Sequence, residues 1–148
     1  MNLRKAKKAD LKTVISWIPD EVLCKRWAGP KVRFPLNIEN LLEDIAFADN
    51  SAYCLKSRQS MVAFGQLLVK ENGYLHLARI IVDPSKRARG YGRLLCEELV
   101  KMAGRKGYHK LSLNVYWDNS IALKLYESLG FQENAEKSSE EYCHMLKL

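Results

Sequence analysis

Apolar residues at a spacing of three and four positions predict the helices of this chain. Asn37 suits a helix N-cap, and after it Ile38, Leu41 and Ile45 fall on one side of a helix. The same kind of spacing predicts further helices over 9–17, 90–105 and 119–129. Segment 19–36 contains Pro19, Gly29, Pro30 and Pro35, and we therefore expect it to be irregular.

Shorter apolar runs, many of them β-branched, predict the strands. They lie at about 2–7, 52–56, 61–70, 74–82 and 110–115, near Phe131, and at 142–147. Asn72-Gly73, between the third and fourth runs, is typical of a hairpin turn. The order is mostly antiparallel and then β-α-β-α-β, which predicts an α/β (α+β) fold with a mixed sheet, in one domain over residues 1–148.

The composition is that of an ordinary soluble protein, with 47% hydrophobic and 28% charged residues. The apolar runs are short and the N-terminal segment is charged, so we expect neither a membrane span nor a secretory leader. The cysteines are scattered without a Cys-x-x-Cys pair, at Cys24, Cys54, Cys96 and Cys143. This pattern argues against a zinc site and favours a cytoplasmic protein with reduced thiols.

The net charge of +7 is the one compositional outlier. Such an excess suits either a nucleic-acid-binding surface or an anionic cofactor. Neither a Cys/His finger nor a ribonucleoprotein-type aromatic signature accompanies the charge. Part of the excess lies in the short segment 86–93, which favours an anionic small molecule over nucleic acid.

That segment follows a strand and opens a helix, an arrangement that binds phosphate. The run Ile80–Val82 ends at Asp83-Pro84, and two glycines follow at Gly90 and Gly92. Glycine lets the backbone approach a ligand closely, and the first N–H groups of a helix lack partners within it. Four cations surround the glycines, at Lys86, Arg87, Arg89 and Arg93. The pattern predicts a site for a polyanion such as a pyrophosphate.

The spacing of the glycines narrows the choice of polyanion. The P-loop pattern is absent, and Leu95 stands where a dinucleotide-binding loop would have a third Gly or Ala. What is present is Arg-x-x-Gly-x-Gly, formed by Arg87, Gly90 and Gly92. It resembles the acyl-CoA-binding signature of the GNAT superfamily of N-acyltransferases, Gln/Arg-x-x-Gly-x-Gly/Ala.

A second motif extends the resemblance. Residues 119–131 are similar to the family's Asn-x-x-Ala-x-x-Leu-Tyr-x-x-x-Gly-Phe, with matches at Asn119, Ala122, Leu125, Tyr126, Gly130 and Phe131. The segment also suits an amphipathic helix capped by Asn119 and ended by Gly130. The resemblance implies a mixed, mostly antiparallel central sheet of about six to seven strands with about four helices, splayed between the fourth and fifth strands.

The resemblance further implies that acetyl-CoA is the co-substrate and enters between the splayed strands. Its pantetheine arm would pair with the backbone of Ile80, Ile81 and Val82, as an added strand does. Its pyrophosphate would lie on backbone N–H groups of Arg87, Ala88, Arg89, Gly90, Tyr91, Gly92 and Arg93. Asn119 would contact the cofactor from the opposite side.

Two residues are candidates for proton transfer. Tyr126 stands at the motif's tyrosine, which in the family protonates the departing coenzyme A sulfur; a packing aromatic is the alternative. Many relatives carry Glu eight residues before the strand-ending proline, where this chain has His76. An imidazole can accept the proton of the amine, directly or through water. A hydrogen-bonded structural histidine is the other interpretation of His76, while His109 and His144 have weaker claims.

The acceptor site is harder to predict. Trp27 and Phe34, on the Pro/Gly-rich segment that the family uses as a wall of the acceptor pocket, either line an apolar pocket or cover the core. Arg79 in a central strand needs a partner, which would be a core carboxylate or an anionic group of the substrate. Trp117 would lie near the acyl end of the cleft.

The sequence as a whole predicts an N-acetyltransferase that moves an acetyl group from acetyl-CoA to a primary amine by direct transfer in a ternary complex. The acceptor would be a small molecule or a peptide, and a homodimer remains open. A non-catalytic acyl-CoA-binding sensor is the first alternative, and a basic nucleic-acid-binding domain is the second.

Overall fold

A computed structural model describes residues 1–48 and 50–148, except for the side chain of residue 72. Its described residues form seven strands and five α-helices. In chain order these are β1 Asn2–Lys5, α1 Asp10–Ser16, α2 Glu21–Ala28, α3 Ile38–Asp44, β2 Ala52–Lys56, β3 Met61–Val69, β4 Leu75–Val82, α4 Tyr91–Arg105, β5 Leu111–Tyr116, α5 Ser120–Ser128, β6 Gln132–Glu133 and β7 Tyr142–Lys147. In this described part, none of the helices combines the length and apolar character needed to cross a bilayer.

The strands form a mixed sheet in the order β1-β2-β3-β4-β5-β7-β6, which confirms the predicted fold class. The chain divides into two compact units, and the boundaries between them fall within β3, β4 and α4. The first unit comprises Met1–Gln66 and Arg79–Leu95, and the second comprises Leu67–Ala78 and Cys96–Leu148. The organisation as one domain stays a prediction.

The first unit is built on antiparallel strands covered by the N-terminal helices. Leu3 pairs with Leu55, and Cys54 pairs with Phe64, so β1, β2 and β3 are neighbours in an antiparallel ladder. Side chains of the helices and strands form one buried apolar cluster, which includes Leu11, Val14, Cys24, Leu41, Ile45, Phe64 and Ile81. Burial of these side chains removes apolar surface from water and stabilises the unit.

The second unit contains the parallel pair of the sheet. Strand β4 pairs with β5 only from Leu75–Leu111 to Leu77–Leu113, and the ladder ends there. This early end agrees with the predicted separation of the fourth and fifth strands. Strand β5 then pairs with β7 in antiparallel register over six residue pairs. Residues of one face of these strands are buried, among them Leu75, Leu77, Leu111, Leu113 and Met145.

Helix α2 corrects the prediction that segment 19–36 is irregular. The Asp20 carboxylate accepts a hydrogen bond from the Leu23 N–H (2.9 Å) and caps the helix. Gly29 ends it with a φ of 85°. Cys24 is the one buried residue of α2, although Leu23, Cys24 and Trp27 recur at helical spacing. The prolines and the glycine around the segment outweighed that spacing and the cap in the prediction.

Candidate active site

The loop between β4 and α4, in the first unit, has the backbone shape of an anion site. The Asp83 carboxylate accepts hydrogen bonds from the Ser85 N–H (2.9 Å) and hydroxyl (2.8 Å) and so shapes the turn after β4. The backbone is left-handed at Ala88 (φ 61°) and at Gly90 (φ 83°), and α4 begins at the next residue. Left-handed residues in a turn before a helix are typical of loops in which backbone N–H groups bind an anion.

Most residues of this loop are exposed. Arg87, Ala88, Arg89 and Gly90 are exposed, and Tyr91 and Gly92 are half-buried. The Lys86 ammonium donates to the Ser60 hydroxyl (2.8 Å), which ties the loop to the β2–β3 turn. The predicted phosphate-binding residues therefore lie together, around one bend of the chain.

Gly92 is not required by packing within the first unit. A Cβ added at Gly92 would lie 3.7 Å from the Val82 Cγ2, an ordinary van der Waals contact. Just before the loop, the Ile81 side chain belongs to the apolar cluster, while Ile80 and Val82 are half-buried.

Arg79 interrupts β4 with a left-handed backbone (φ 52°), which costs free energy in a residue other than glycine. Its guanidinium donates to the Gln66 side-chain oxygen (2.7 Å) and to the Ile45 carbonyl (3.4 Å). Its Nε is buried with no hydrogen-bond partner among the described residues. Burial lowers the pKa of Arg79 because it removes the charged guanidinium from water, and the neutral partners do not offset that loss. The partner in the protein is thus an amide and not the carboxylate considered from the sequence.

Trp27 and Phe34 both pack against the apolar cluster of the first unit. The Trp27 indole N–H donates to the Arg79 carbonyl (2.9 Å), and its ring centroid is 6.4 Å from that of Phe64. Of the two interpretations of these aromatics, the structure supports the one in which they cover the core. A contact with the acceptor stays a prediction.

The second unit contains a polar pocket of about 590 Å³ at the predicted base. Its lining comprises Lys70, Glu71, Tyr74, His76, Ser112, Asn114, Asn134, Glu136, Lys137, His144 and Leu146. His76 is opposite Ser112 in the β4–β5 ladder, and Asn114 is opposite His144 in the β5–β7 ladder. These side chains share one face of the sheet because alternate residues of a strand point the same way. The period of two in β5 and β7 was the signal that could have added Asn114 and His144 to the predicted site.

Two parallel imidazoles form the floor of this pocket. The rings of His76 and His144 are 6.4 Å apart, at an interplanar angle of 21°. His76 Nδ1 is 2.7 Å from the Ser112 hydroxyl oxygen, and the Asn134 amide nitrogen is 3.3 Å from His144 Nδ1. An amide nitrogen only donates, so His144 Nδ1 accepts, and the proton of the neutral ring is on Nε2. Burial, and then the charge of Lys137, lower the pKa of His144, which is therefore neutral at pH 7.

Tyr126 is buried on α5 and is not among the residues that line the pocket. Its ring packs edge-on against Phe131, with the centroids 6.1 Å apart. Burial, with a further contribution from Cys96, raises the pKa of the Tyr126 phenol above its ordinary value. The phenol therefore keeps its proton at neutral pH and has one to donate.

Asn119 and Trp117 lie before α5. The Asn119 side-chain oxygen accepts from the Ala122 N–H (3.2 Å), which confirms the predicted N-cap. The Trp117 indole N–H donates to the Ser139 carbonyl (2.8 Å), while 40% of the residue stays exposed. These bonds order both side chains within the second unit.

Comparisons with known proteins agree with this architecture. The sequence model of the Acetyltransferase (GNAT) family matches residues 16–131. Ribosomal protein bS18-alanine N-acetyltransferase of Salmonella typhimurium is 38% identical over 76 residues, which cover 51% of this chain and 49% of that protein. The chain thus spans about half the length of this curated relative.

Solved structures match over nearly the whole chain. The ribosomal-protein-alanine N-acetyltransferase of Brucella melitensis has a TM-score of 0.79 at 19% identity, covering 100% of this chain and 99% of that one. The spermidine N-acetyltransferase of Vibrio cholerae, solved with CoA and spermine, has a TM-score of 0.78 at 19% identity, covering 98% and 93%. At these identities the likeness shows the shared fold.

Proposed function

The chain belongs to the GNAT acetyltransferase family, and from this premise we propose that it transfers an acetyl group from acetyl-CoA to a primary amine. The observation that carries the proposal is the loop after β4. Its left-handed Ala88 and Gly90 and its exposed residues, at the family's acyl-CoA signature, support an anion site there.

The proposed cofactor contacts are backbone groups of the loop and strand, and one side chain before α5. In the first unit, the backbone from Arg87 to Arg93 receives the pyrophosphate, and Ile80–Val82 pairs with the pantetheine arm. In the second unit, Asn119 uses its side-chain oxygen for the helix cap, which leaves its amide nitrogen to donate to the cofactor. Backbone recognition suits a cofactor that many different acetyltransferases share.

The proposed chemistry needs one base and one acid. His76 accepts the proton that the amine loses as its nitrogen bonds to the acetyl carbon. Tyr126 gives a proton to the sulfur as the carbon–sulfur bond breaks. The Ser112 hydroxyl oxygen, 2.7 Å from His76 Nδ1, helps to orient the imidazole ring.

Direct transfer to the amine is preferred to a covalent cysteine intermediate. All four cysteines are buried. Burial raises the pKa of Cys54 to about 12, and burial also raises those of Cys24 and Cys143. A thiol acts as a nucleophile only as the thiolate, so these side chains are poor candidates for acyl carriers. We assign the protein to the cytoplasm, where such thiols stay reduced.

We propose an amine as the acceptor of this chain. The relatives do not identify the class of that amine, because they act on different acceptors. By their names, one relative acts on an alanine of a ribosomal protein and another on spermidine. We propose that Trp27, Phe34, Arg79 and Trp117 are the residues that influence the choice of acceptor.

Calorimetric titration with acetyl-CoA and coenzyme A, followed by an assay of thiol release with a panel of amines, tests the proposal. We expect micromolar binding of both and turnover with at least one primary amine. Binding without turnover on any amine would replace the enzyme with a sensor. Absence of binding would exclude both the enzyme and the sensor. The remaining hypothesis would then be a basic nucleic-acid-binding domain.

A further inference from the structure

The polar pocket of the second unit carries charges of both signs that the protein itself does not neutralise. Lys70 and Lys137 supply two cations, and Glu71 and Glu136 supply two anions. In the described part of the chain, none of these four side chains forms an ion pair or a hydrogen bond with another residue. These charges are therefore available to a bound molecule.

The rest of the lining combines hydrogen-bonding groups with the faces of aromatic and imidazole rings. His144 is neutral, and Asn134 bonds to its Nδ1. Asn114 is exposed on β5, and Leu146 is the one aliphatic side chain of the lining. A hydrocarbon ligand would contact one aliphatic side chain and the rings of Tyr74, His76 and His144. A polar ligand would find both donors and acceptors.

Resting on the proposed function, we infer that this pocket holds an acceptor with a carboxylate close to its reacting primary amine. The ammonium form would meet Glu71 and Glu136, the carboxylate would meet Lys70 and Lys137, and His76 would take the proton. An amino acid and the amino end of an acidic peptide share this chemistry. A linear polyamine instead brings several cations against the two lysines, which is unfavourable.

Four probes separate these acceptors: glycyl-glutamate, glycyl-glutamine amide, glycine and spermidine. The two dipeptides share the reacting amine and differ in their carboxylates. We expect kcat/KM for glycyl-glutamate to exceed that for the amide by about tenfold or more, since hydrogen bonds to charged groups are the strong ones. Spermidine should be the poorest probe. A higher kcat/KM for glycine than for glycyl-glutamate would assign the pocket to a free amino acid. A higher kcat/KM for glycyl-glutamate would assign it to the amino end of an acidic peptide.

Charge-neutralising variants test the assignment within the pocket. Lys137→Gln should lower kcat/KM for glycyl-glutamate about tenfold and leave that for the amide within about twofold of its value. Glu136→Gln should lower kcat/KM for both dipeptides, because both carry the ammonium. Lys124→Gln makes the same charge change at an exposed position of α5 outside the pocket and should alter neither.

Equal kcat/KM of the wild type for the two dipeptides, or a higher value for spermidine than for the other probes, would overturn the inference. Either result would still be consistent with the proposed acetyltransferase activity. Equal loss on both dipeptides in Lys137→Gln would overturn it as well. If acetyl-CoA binds but no amine is acetylated, the transferase proposal fails by itself. NMR titration of glycyl-glutamate into the wild type and Lys137→Gln then decides the inference. Tighter binding to the wild type supports it, and equal or absent binding overturns it.

Discussion

In the first unit the groups proposed to bind a ligand are backbone N–H groups, whereas in the second unit they are side chains on alternate positions of strands. The loop at Ala88–Gly92 depends on left-handed backbone and on glycine. The pocket at His76 and His144 depends on which side chains three different strands bring to one face. The two kinds of recognition place different demands on the sequence.

Backbone recognition explains why the loop carries a short motif that many relatives share. It constrains conformation, and so it specifies glycines and leaves most side chains open. Side-chain recognition specifies no fixed spacing, so the pocket can change its ligand by substitution without loss of the fold. We therefore expect substitution of the loop glycines to abolish cofactor binding. Substitution of the polar residues that line the pocket should instead change which acceptor is used.

Gly92→Glu should have the largest effect and abolish detectable binding of acetyl-CoA in calorimetry. The carboxylate adds bulk and negative charge where the pyrophosphate would lie. Gly92→Ala is the matched control, because its Cβ meets Val82 Cγ2 at an ordinary 3.7 Å, and it should fold normally and bind more tightly than Gly92→Glu. Unchanged affinity in Gly92→Glu would remove the phosphate-loop assignment.

Tyr126→Phe should lower kcat by roughly 10²–10⁴-fold if the phenol is the acid. Affinity for coenzyme A should change little, because the ring and its edge-on packing against Phe131 remain. Single-turnover kinetics with the best amine, beside calorimetry, separates the two quantities. A loss below about tenfold would leave Tyr126 a packing residue.

His76→Ala should remove the acidic limb of the pH–rate profile, because that limb reports deprotonation of the base. We expect turnover at neutral pH to fall by roughly 10²-fold or more. His109→Ala removes an exposed histidine outside the pocket and should keep the wild-type profile. A profile unaltered in His76→Ala would show that the proton leaves by another route.

Asp10→Asn should have the smallest effect, a stability loss of about 1 kcal/mol at pH 7 with the chemistry unchanged. Asp10 accepts two hydrogen bonds from Arg4 (2.8 and 2.9 Å), and this pairing lowers the pKa of Asp10 below its ordinary value. The pairing therefore stabilises the fold above pH 4 and is lost as the pH falls through the folded-state pKa. Urea unfolding between pH 7 and pH 3 should show a smaller decline in the variant than in the wild type.

Helix caps and glycine turns were predictable from the sequence because their causes are local. Asn37 and Asn119 cap helices as expected, and Gly130 (φ 97°) follows α5. Helix α2 was missed because the prolines and glycine around it outweighed its cap at Asp20. The left-handed backbone of Arg79 had no local signal, since nothing in the sequence marks a non-glycine residue for that conformation.

The sequence by itself determined the family, the mixed fold and the glycine turn before α4, because spacing, capping and glycine act within a few residues of one another. Only the tertiary structure decided the polar pocket and the neutral partner of Arg79. His76, Asn114 and His144 meet through the registers of three strands far apart in the chain, and Gln66 reaches Arg79 from a neighbouring strand. Register depends on long-range pairing and on the burial of one sheet face, and single-residue patterns do not encode either.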